Sequence, residues 1–276
     1  MRVDTRFPWG DPWARPDYRV SRVEATLGGV RWVGRPHQGP CFLLQRLDGW
    51  WGGGAVSGGV TPFDQADSGL HGDTFLHGRV VTLRGKILTD NGAQQMEAFD
   101  ELTSVFASSR RVNLTVDEPE RKMARMLTVT PTALPEPQPI SDRVADVSVT
   151  VESDTYPLLG VSAETVTLTT GGTPLRNNGT YPAGLSFTLN GPLTNPGFTW
   201  SGGAWSYGGS IASGKRLFVD AARRTVRDPD TTLHSRAKLL GLGAGSWPQL
   251  APGMTTFWRT GSGSGSITAS WRSSWA

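Results

Sequence analysis

The sequence contains one cysteine, Cys41, so no disulfide can form within the chain. A fold without disulfides is typical of proteins that mature in a reducing cytoplasm. Cys41 lies in the apolar run CFLLQRL, which favours a buried structural residue, with a catalytic thiol as the alternative. The N-terminus lacks the apolar segment of a secretory signal, and no run of about 18 apolar residues predicts a membrane span.

Catalytic motifs are also scarce. The stretch GGGAVSGG lacks the Lys-[Ser/Thr] ending of a phosphate-binding loop, and no G-x-S-x-G elbow precedes a helix. His71, Asp73 and His77 could in principle ligate a metal, but their spacing matches no standard zinc or calcium loop. The sequence therefore predicts no catalytic residue, no cofactor and no metal site.

Lysine is the third scarcity, since only four of the 27 basic residues are lysines. This ratio suggests a GC-rich genome, and the absence of arginine-glycine repeats or a basic helix argues against nucleic-acid binding. Charge is uneven along the chain. Residues 1–160 carry 17 basic and 20 acidic side chains, whereas residues 161–276 carry 10 and 4, so only the first part is net acidic.

The chain is rich in glycine (35) and proline (19), which favours short strands joined by tight turns. Arg79–Ile87 alternates apolar and polar residues and predicts a strand. Asp90 then offers an N-cap for a helix. The helix is predicted to bury one apolar stripe, formed by Met96, Phe99, Leu102 and Phe106.

Two further segments, 112–116 and 126–130, predict a β-hairpin, and DVSVTVES predicts a strand that buries Val147, Val149 and Val151. After Gly160 the pattern changes to eight short strands with no helix, which is typical of a β-sandwich or jelly roll. We therefore expect two domains, 1–160 and 161–276, in a mainly β fold whose first domain is α+β with one helix.

A glycine-rich segment, residues 48–78, interrupts the first domain with little periodicity. Structureless stretches of this length inside a domain are uncommon and are usually functional or ordered by a partner. We interpret the segment as an extended arm that folds against another subunit. The predicted interface residues are Trp50, Trp51, Phe63, Phe75 and Leu76.

Eleven tryptophans leave a second function class open, that of a carbohydrate-binding module. An exposed aromatic platform with polar neighbours binds sugar rings, and the candidates are Trp200, Trp205 and Trp258. Alternation along the strands places about half of the tryptophans in the core.

The chain ends with a run, GSGSG, between two strand-like segments, TTFWRT and SITASWR. We interpret the run as the turn of a closing hairpin, with Ile267, Ala269 and Trp271 on one face of the last strand.

The order of these features resembles the distal tail proteins of long-tailed, non-contractile bacteriophages, called minor tail proteins in many actinobacterial phages. The resemblance rests on DGWWGGG, LHGRVVTLRGKI and DVSVTVESDTYPLLG in the first half. It continues through NNGTYPAGLSFTLNGPLTNPGFTW, KRLFVDAARRTV and the closing SWPQLAPGMTTFWRTGSGSGSITASWRSSW, and so covers nearly the whole chain.

The resemblance implies a non-enzymatic virion protein at the distal end of the tail. It implies a tail-tube-like β-sandwich as the ring-forming domain, a galectin-like second domain and an actinobacterial host. Partners would be five further copies in a homohexameric ring, the tail tube protein and the tail-tip hub protein, with DNA in transient passage. The ring would be assembled in the host cytoplasm without membrane insertion. The arm would be a belt on the neighbouring subunit, anchored by Trp50 and Trp51, and the acidic first domain would suit a channel wall that does not hold DNA.

Overall fold

The computed structural model describes residues 22–36, 39–52, 56–57, 60–62, 69–71, 75–76, 78–107, 111–228, 240–242 and 247–276. The chain divides into two compact units, Met1–Pro157 and Leu158–Ala276. The boundary expected after Gly160 lies three residues further along, at the end of the strand Leu158–Gly160. That strand pairs with Ser274–Trp275 near the C-terminus, so its residues belong to the second unit.

The first unit contains twelve described strands, one α-helix and one 3₁₀ turn. They are β1 (Glu24–Leu27), β2 (Val30–Val33), β3 (Cys41–Asp48), β4 (Val56–Ser57), β5 (Val60–Pro62), β6 (Gly69–His71), β7 (Phe75–Leu76), β8 (Val80–Leu88), α1 (Gly92–Ala107), β9 (Val112–Glu118), the 3₁₀ turn Pro119–Arg121, β10 (Met123–Pro131), β11 (Gln138–Pro139) and β12 (Val144–Ser153).

Seven of these strands close into a barrel in the order β12-β8-β3-β2-β1-β9-β10. The barrel closes because β12 pairs with β8 along one edge and, through its last residues, with β10 along the other. The pairs are antiparallel except β2–β3. The mainly β class predicted from the sequence is confirmed, but the sheet of this unit closes on itself instead of forming a sandwich.

Apolar side chains at alternate positions along the strands fill the interior of the barrel. Val147, Val149 and Val151 are buried, as predicted, and the 112–116 and 126–130 segments form the predicted hairpin within β9 and β10. Trp32 lies fully buried in the same core, tilted against Phe42 at 5.4 Å between ring centroids.

Helix α1 contacts β2 and β8. Its N-cap is Asn91, not Asp90 as predicted, because Asn91 Oδ1 accepts a hydrogen bond from the Gln94 amide at 3.0 Å. The buried face comprises Gln95, Ala98, Leu102, Val105 and Phe106. Met96 is 58% exposed, so its predicted place in the apolar stripe is wrong: at helical spacing it lies beside the buried face.

The second unit contains fourteen described strands. They are β13 (Leu158–Gly160), β14 (Glu164–Thr167), β15 (Thr173–Asn177), β16 (Ala183–Asn190), β17 (Leu193–Trp200), β18 (Gly203–Tyr207), β19 (Ser210–Ile211), β20 (Arg216–Asp220), β21 (Thr225–Arg227), β22 (Leu240–Leu242), β23 (Gln249–Leu250), β24 (Gly253–Ser262), β25 (Ser266–Trp271) and β26 (Ser274–Trp275).

These strands form the predicted sandwich. One sheet has the order β14-β25-β16-β20-β21 and the other the order β15-β24-β17-β18-β22. Their inner faces share one apolar core, in which Phe187 of the first sheet stacks on Phe198 of the second at 3.9 Å between ring centroids. Aromatic burial on this scale supplies much of a sandwich's stability.

The sequence pattern predicted that the GSGSG run is a hairpin turn, and this prediction is wrong. Strand β24 pairs with β15 and β17, whereas β25 pairs with β14 and β16, so the run crosses from one sheet to the other. Gly263 has a φ of +109°, and a Cβ there would overlap the carbonyl oxygen of Pro192. The predicted inward face of β25 is confirmed, with Ile267, Ala269 and Trp271 all buried.

Candidate functional site at the base of the arm

The predicted arm is a β-hairpin inserted between two neighbouring barrel strands. Strands β3 and β8 are antiparallel, with Asp48 opposite Thr82, and the arm is the chain segment between them. Two short ladders lie along it, β4 with β7 and β5 with β6. The arm therefore has a fixed point of departure on the barrel, which we call the arm base (residues 49–52 and 78–79).

The returning strand of the arm is attached to the end of β12. The Arg79 amide donates to Ser153 Oγ, and the Ser153 amide donates to the Arg79 carbonyl oxygen, both at 2.9 Å. Gly78 lies so close that a Cβ would overlap the carbonyl oxygen of Ser153. Only glycine permits this approach.

The outgoing strand is attached by two indoles. Trp50 Nε1 donates to one carboxylate oxygen of Glu118 at 3.0 Å, and Trp51 Nε1 donates to the other at 3.2 Å. Trp50 is 0% exposed, which leaves no surface of its side chain for a neighbouring subunit. The prediction that Trp50 anchors in a neighbour is therefore corrected: it anchors the arm base in its own barrel. Trp51 is half-buried, and its predicted role at an interface stays a prediction.

The carboxylate that receives both indoles is itself buried and paired. Glu118 Oε1 accepts from Arg125 Nε at 2.8 Å and from Arg125 Nη2, and neither residue is more than 4% exposed. A buried charge of this kind is tolerated because a partner and several hydrogen bonds replace its water. Arg121, mostly exposed, lies 3.5 Å from the second oxygen.

Arg79 is the second buried cation of the arm base and is 1% exposed. Its guanidinium donates to the carbonyl oxygens of Tyr156 (2.9 Å), Trp50 (3.2 Å) and Gly52, and lies over the Tyr156 ring at 5.0 Å. Burial lowers the pKa of Arg79, and the nearby charge of Arg125 acts in the same direction. Backbone oxygens from the outgoing side of the arm base and from Tyr156, which follows β12, thus converge on one side chain of the returning side.

A cavity of about 350 Å³ opens beside this cluster. Its wall is formed by Arg22, Val23, Trp51 and residues 118–121. Trp51, which is half-buried, therefore borders this cavity.

Sequence reasoning missed Glu118, Arg125 and Arg79. The sequence contains a signal for the first two residues. The inward face of β9 carries Leu114, Val116 and Glu118, and Arg125 lies on the inward face of β10. A charged residue in register with buried apolar residues on both strands of one hairpin predicts a buried ion pair. No comparable pattern marks Arg79, whose partners are backbone atoms.

The structure does not test the predicted interface role of three residues. Phe63 lies outside the described residues, as do the side chains of Phe75 and Leu76, whose backbone forms β7. Their interface role stays a prediction.

The three tryptophans proposed for sugar stacking divide by burial. Trp205 is 1% exposed and stacks on Phe198 at 5.1 Å between centroids, so its role in sugar stacking is wrong. Trp200 is half-buried and stacks on Phe257 at 5.8 Å. Trp258 is 39% exposed, because its position on β24 alternates with the inward Phe257.

Within the part of the chain that the structure describes, no three His, Cys, Asp or Glu side chains come together as metal ligands. Over the same residues, no helix has the length and apolar character needed to cross a membrane. Cys41 is buried, as predicted.

No protein-family model matches the chain, and no curated protein sequence matches it. Solved structures do. The chain superposes on the Dit protein of phage SPP1 with a TM-score of 0.68 and 14% identity, covering 92% of this chain and 99% of that one. That protein is described as a paradigm of the hub adsorption apparatus in phages that infect Gram-positive bacteria. A chain of the phage P2 baseplate, in its activated conformation with Ca, gives a TM-score of 0.50 at 6% identity, covering 90% and 97%. At these identities the likeness establishes a shared fold.

Proposed function

We propose that this protein is a non-enzymatic structural component of a bacteriophage tail. Six copies form a ring at the distal end of the tail, between the tail tube protein and the tail-tip hub protein. The ring is assembled in the host cytoplasm, and DNA passes through it only transiently. The first unit forms the ring, and the second is a galectin-like sandwich.

The observation that carries this proposal is the extent of the fold likeness. It reaches over both units and 92% of the chain, and it covers almost all of a protein described as part of a phage hub adsorption apparatus. A shared sandwich alone would say little about function, because that architecture hosts many unrelated activities. A two-unit arrangement of this length is far more specific.

The arm supports the same proposal independently. Among the described residues, the short strands of the arm pair only within the arm, and a two-stranded hairpin is only marginally stable in water by itself. Arms of this kind are stabilised when they contact another copy. The actinobacterial host expected from the sequence rests on the arginine-to-lysine ratio and on the family resemblance.

The mass of the purified protein tests the ring. Native mass spectrometry and analytical ultracentrifugation should give a species of six times 29.7 kDa, and negative-stain images should show rings with a central opening. The ring would be contradicted by a chain that stays monomeric at high concentration and also in a mixture with its tail tube protein.

A second candidate function, binding of cell-wall carbohydrate by the second unit, is favoured by one observation. Trp258 is 39% exposed on a strand whose register places it beside Thr199, which gives an aromatic plate next to a hydroxyl. In cell-wall pull-down with the full chain, Trp258→Ala should abolish retention if this function exists. Thr165→Ala, on the exposed edge strand β14 of the other sheet, is the control. Equal retention of both variants, or none by the wild type, would exclude a Trp258 sugar site.

A further inference from the structure

Each sheet of the sandwich has an outer face, and on one of them two arginines flank an aromatic ring. Along β20, the buried residues Leu217 and Val219 alternate with residues on the solvent side. The strand register extends this solvent side across the neighbouring strands β16 and β21. Five residues of this surface form what we call the arginine face: Thr188, Asn190, Arg216, Phe218 and Arg227.

The arginine face consists of two rows of directly opposed residues. In one row, Phe218 lies between Thr188 and Arg227. In the other row, Arg216 lies opposite Asn190. Opposed residues have Cβ atoms about 5 Å apart, and diagonal neighbours such as Arg216 and Arg227 lie about 7–8 Å apart. Two guanidinium groups, a hydroxyl and an amide therefore surround one ring.

The ring of Phe218 holds the guanidinium of Arg216. The central guanidinium carbon of Arg216 lies over this ring, 5.2 Å from its centroid. An aromatic contact of this kind orients a guanidinium without using its N–H donors. In the described part of the chain, the Arg216 side chain forms no ion pair and donates no hydrogen bond. All of its donors are therefore available to a ligand.

The arginine face has an excess of positive charge. The segment 215–227 contains five basic residues and one acidic residue, Asp220. Asp220 is already engaged by Arg223, whose amide donates to Oδ1 at 2.9 Å and whose Nε lies 3.9 Å from Oδ2. Arg227 is exposed and, like Arg216, has no anionic partner among the described residues. Two neighbouring cations without a counter-charge repel each other, so an anion that contacts both is favoured.

The chemistry of the arginine face selects a particular kind of anion. A guanidinium binds phosphate oxygens through two parallel N–H donors. Beside the arginines lie the Thr188 hydroxyl and the Asn190 amide, whose Nδ2 donates to Ser266 Oγ at 3.1 Å. The amide oxygen of Asn190 accepts no hydrogen bond from the described residues, so it can accept one from a ligand hydroxyl. The face therefore complements a polymer in which phosphates alternate with hydroxyl-bearing units.

A nucleic acid, the other common phosphate polymer, fits this surface less well. Single-stranded nucleic acids are held mainly by stacking of their bases on open aromatic rings. Phe218 is the one ring of the arginine face, and Arg216 already covers it. The neighbouring positions offer hydrogen-bonding groups, which suit hydroxyls better than base faces.

We propose that the arginine face binds a cell-wall polymer in which phosphates join polyol or sugar units. Arg216 and Arg227 bind the phosphate oxygens, Phe218 positions Arg216, and Thr188 and Asn190 bind hydroxyls of the units between the phosphates. The site lies on the opposite sheet from Trp258 and is independent of it. The cell-wall source of the polymer rests on the proposed function, since a protein at the distal end of a tail meets the host surface.

Calorimetric titration of the full chain with a short poly(glycerol phosphate) oligomer tests the site. The wild type should bind, and Arg216→Gln and Arg227→Gln should each weaken binding about tenfold. Arg176→Gln removes the same charge from the outer face of the other sheet and should leave binding unchanged. Equal losses in all three variants would show attraction by net charge alone and would overturn the site, as would a wild type that does not bind.

Two further variants test the geometry of the site. Arg227→Lys keeps the charge but loses the planar fork, so it should still bind more weakly than the wild type. Phe218→Leu should weaken binding in the wild type and have no further effect in Arg216→Gln, because Phe218 acts through Arg216. Wild-type affinity in Arg227→Lys, or additive losses for Phe218→Leu and Arg216→Gln, would contradict these roles. Urea unfolding checks that each variant is folded.

Two other probes identify the source of the phosphate. Single-stranded DNA with the same number of phosphates should bind more weakly than the oligomer, and tighter binding of DNA would overturn the assignment to a wall polymer. Bacterial walls extracted with hydrofluoric acid, which removes phosphodiester-linked polymers, should retain less wild-type protein than intact walls. Equal retention by both wall preparations would also contradict the assignment.

Sedimentation of the same samples separates this inference from the proposed function. A wild type that forms rings but does not bind the oligomer overturns the arginine face and leaves the ring standing. A wild type that binds the oligomer but stays monomeric, also with its tail tube protein, supports the arginine face and contradicts the ring. Rings in Arg216→Gln together with weakened binding support both.

Discussion

At the scale of single residues, the carboxylate of Glu118 organises the arm base. It receives two indole donors and a buried guanidinium, so three side chains depend on one negative charge. The group is tolerated in the interior only because all of these partners are in place. The arm therefore starts from a fixed direction even though it is an insertion between two strands.

Glu118→Ala should destabilise the first unit by about 3–5 kcal/mol, because it leaves Arg125 buried without its carboxylate. Glu118→Gln, which keeps an acceptor, should cost less. Urea unfolding monitored by tryptophan fluorescence measures both. The control Glu120→Gln changes an exposed carboxylate and should shift the free energy of unfolding by less than about 0.5 kcal/mol. Equal effects for the two positions would show that the buried pair does not stabilise the fold.

At the scale of elements, the N-cap of α1 and the GSGSG connection differ from what the sequence pattern predicted. Helix α1 begins with Asn91 as its cap, while Gln94 reaches back to the Asp90 amide at 2.9 Å. The GSGSG run carries the chain between the two sheets of the sandwich. Both are short segments whose role depends on what lies next to them in space.

The cap can be tested by substituting the two neighbouring residues. Asn91→Ala should lower the free energy of unfolding by about 1 kcal/mol, because the Gln94 amide loses its acceptor. Asp90→Ala should have a much smaller effect, since only the Asp90 backbone amide contacts Gln94. Urea unfolding of the two variants measures the loss of stability in each and so identifies the cap. A larger loss in Asp90→Ala would restore Asp90 as the cap.

The inter-sheet connection is tested at Gly263. Gly263→Ala should destabilise the second unit by at least about 2 kcal/mol, since a positive φ and an overlap with the Pro192 carbonyl oxygen act together. Gly171→Ala is the matched control, because a Cβ there meets no atom and the residue lacks a positive φ. Thermal unfolding measures both. Equal melting temperatures would mean that GSGSG behaves as a plain linker.

At the scale of the whole molecule, the arm is inserted between two barrel strands that pair directly with each other. Strands β3 and β8 pair from Cys41 opposite Leu88 to Asp48 opposite Thr82, where the arm begins. The barrel closes through β10 and β12, and the last residue of β12, Ser153, also contacts Arg79 at the arm base. The pairings that form the barrel use none of the described residues between 53 and 77, so we expect the barrel to fold without them.

Deletion of residues 53–77, which joins Gly52 to Gly78, should leave the barrel folded and abolish oligomerisation. The shortened connection keeps Trp50, Trp51 and Arg79 at the arm base. Far-ultraviolet circular dichroism and urea unfolding measure the fold, and sedimentation measures association. A ring that survives this deletion would remove the arm from the subunit interface.

The sequence by itself determined most of the elements. Alternation of Val147, Val149 and Val151 predicted β12, and the strand segments after Gly160 predicted the sandwich. Strand periodicity reflects which side of a sheet is dry, and that information is local. The same alternation contained a signal for the buried pair of Glu118 and Arg125.

Only the tertiary structure decided which elements meet. It made the first sheet a closed barrel, directed the GSGSG run from one sheet to the other, and placed Trp50 in its own unit and not in a neighbour. It also gathered the carbonyl oxygens of Trp50, Gly52 and Tyr156 around the guanidinium of Arg79. These contacts join residues far apart in the chain, frequently through backbone atoms that every residue carries. For that reason no pattern of side chains could have predicted them.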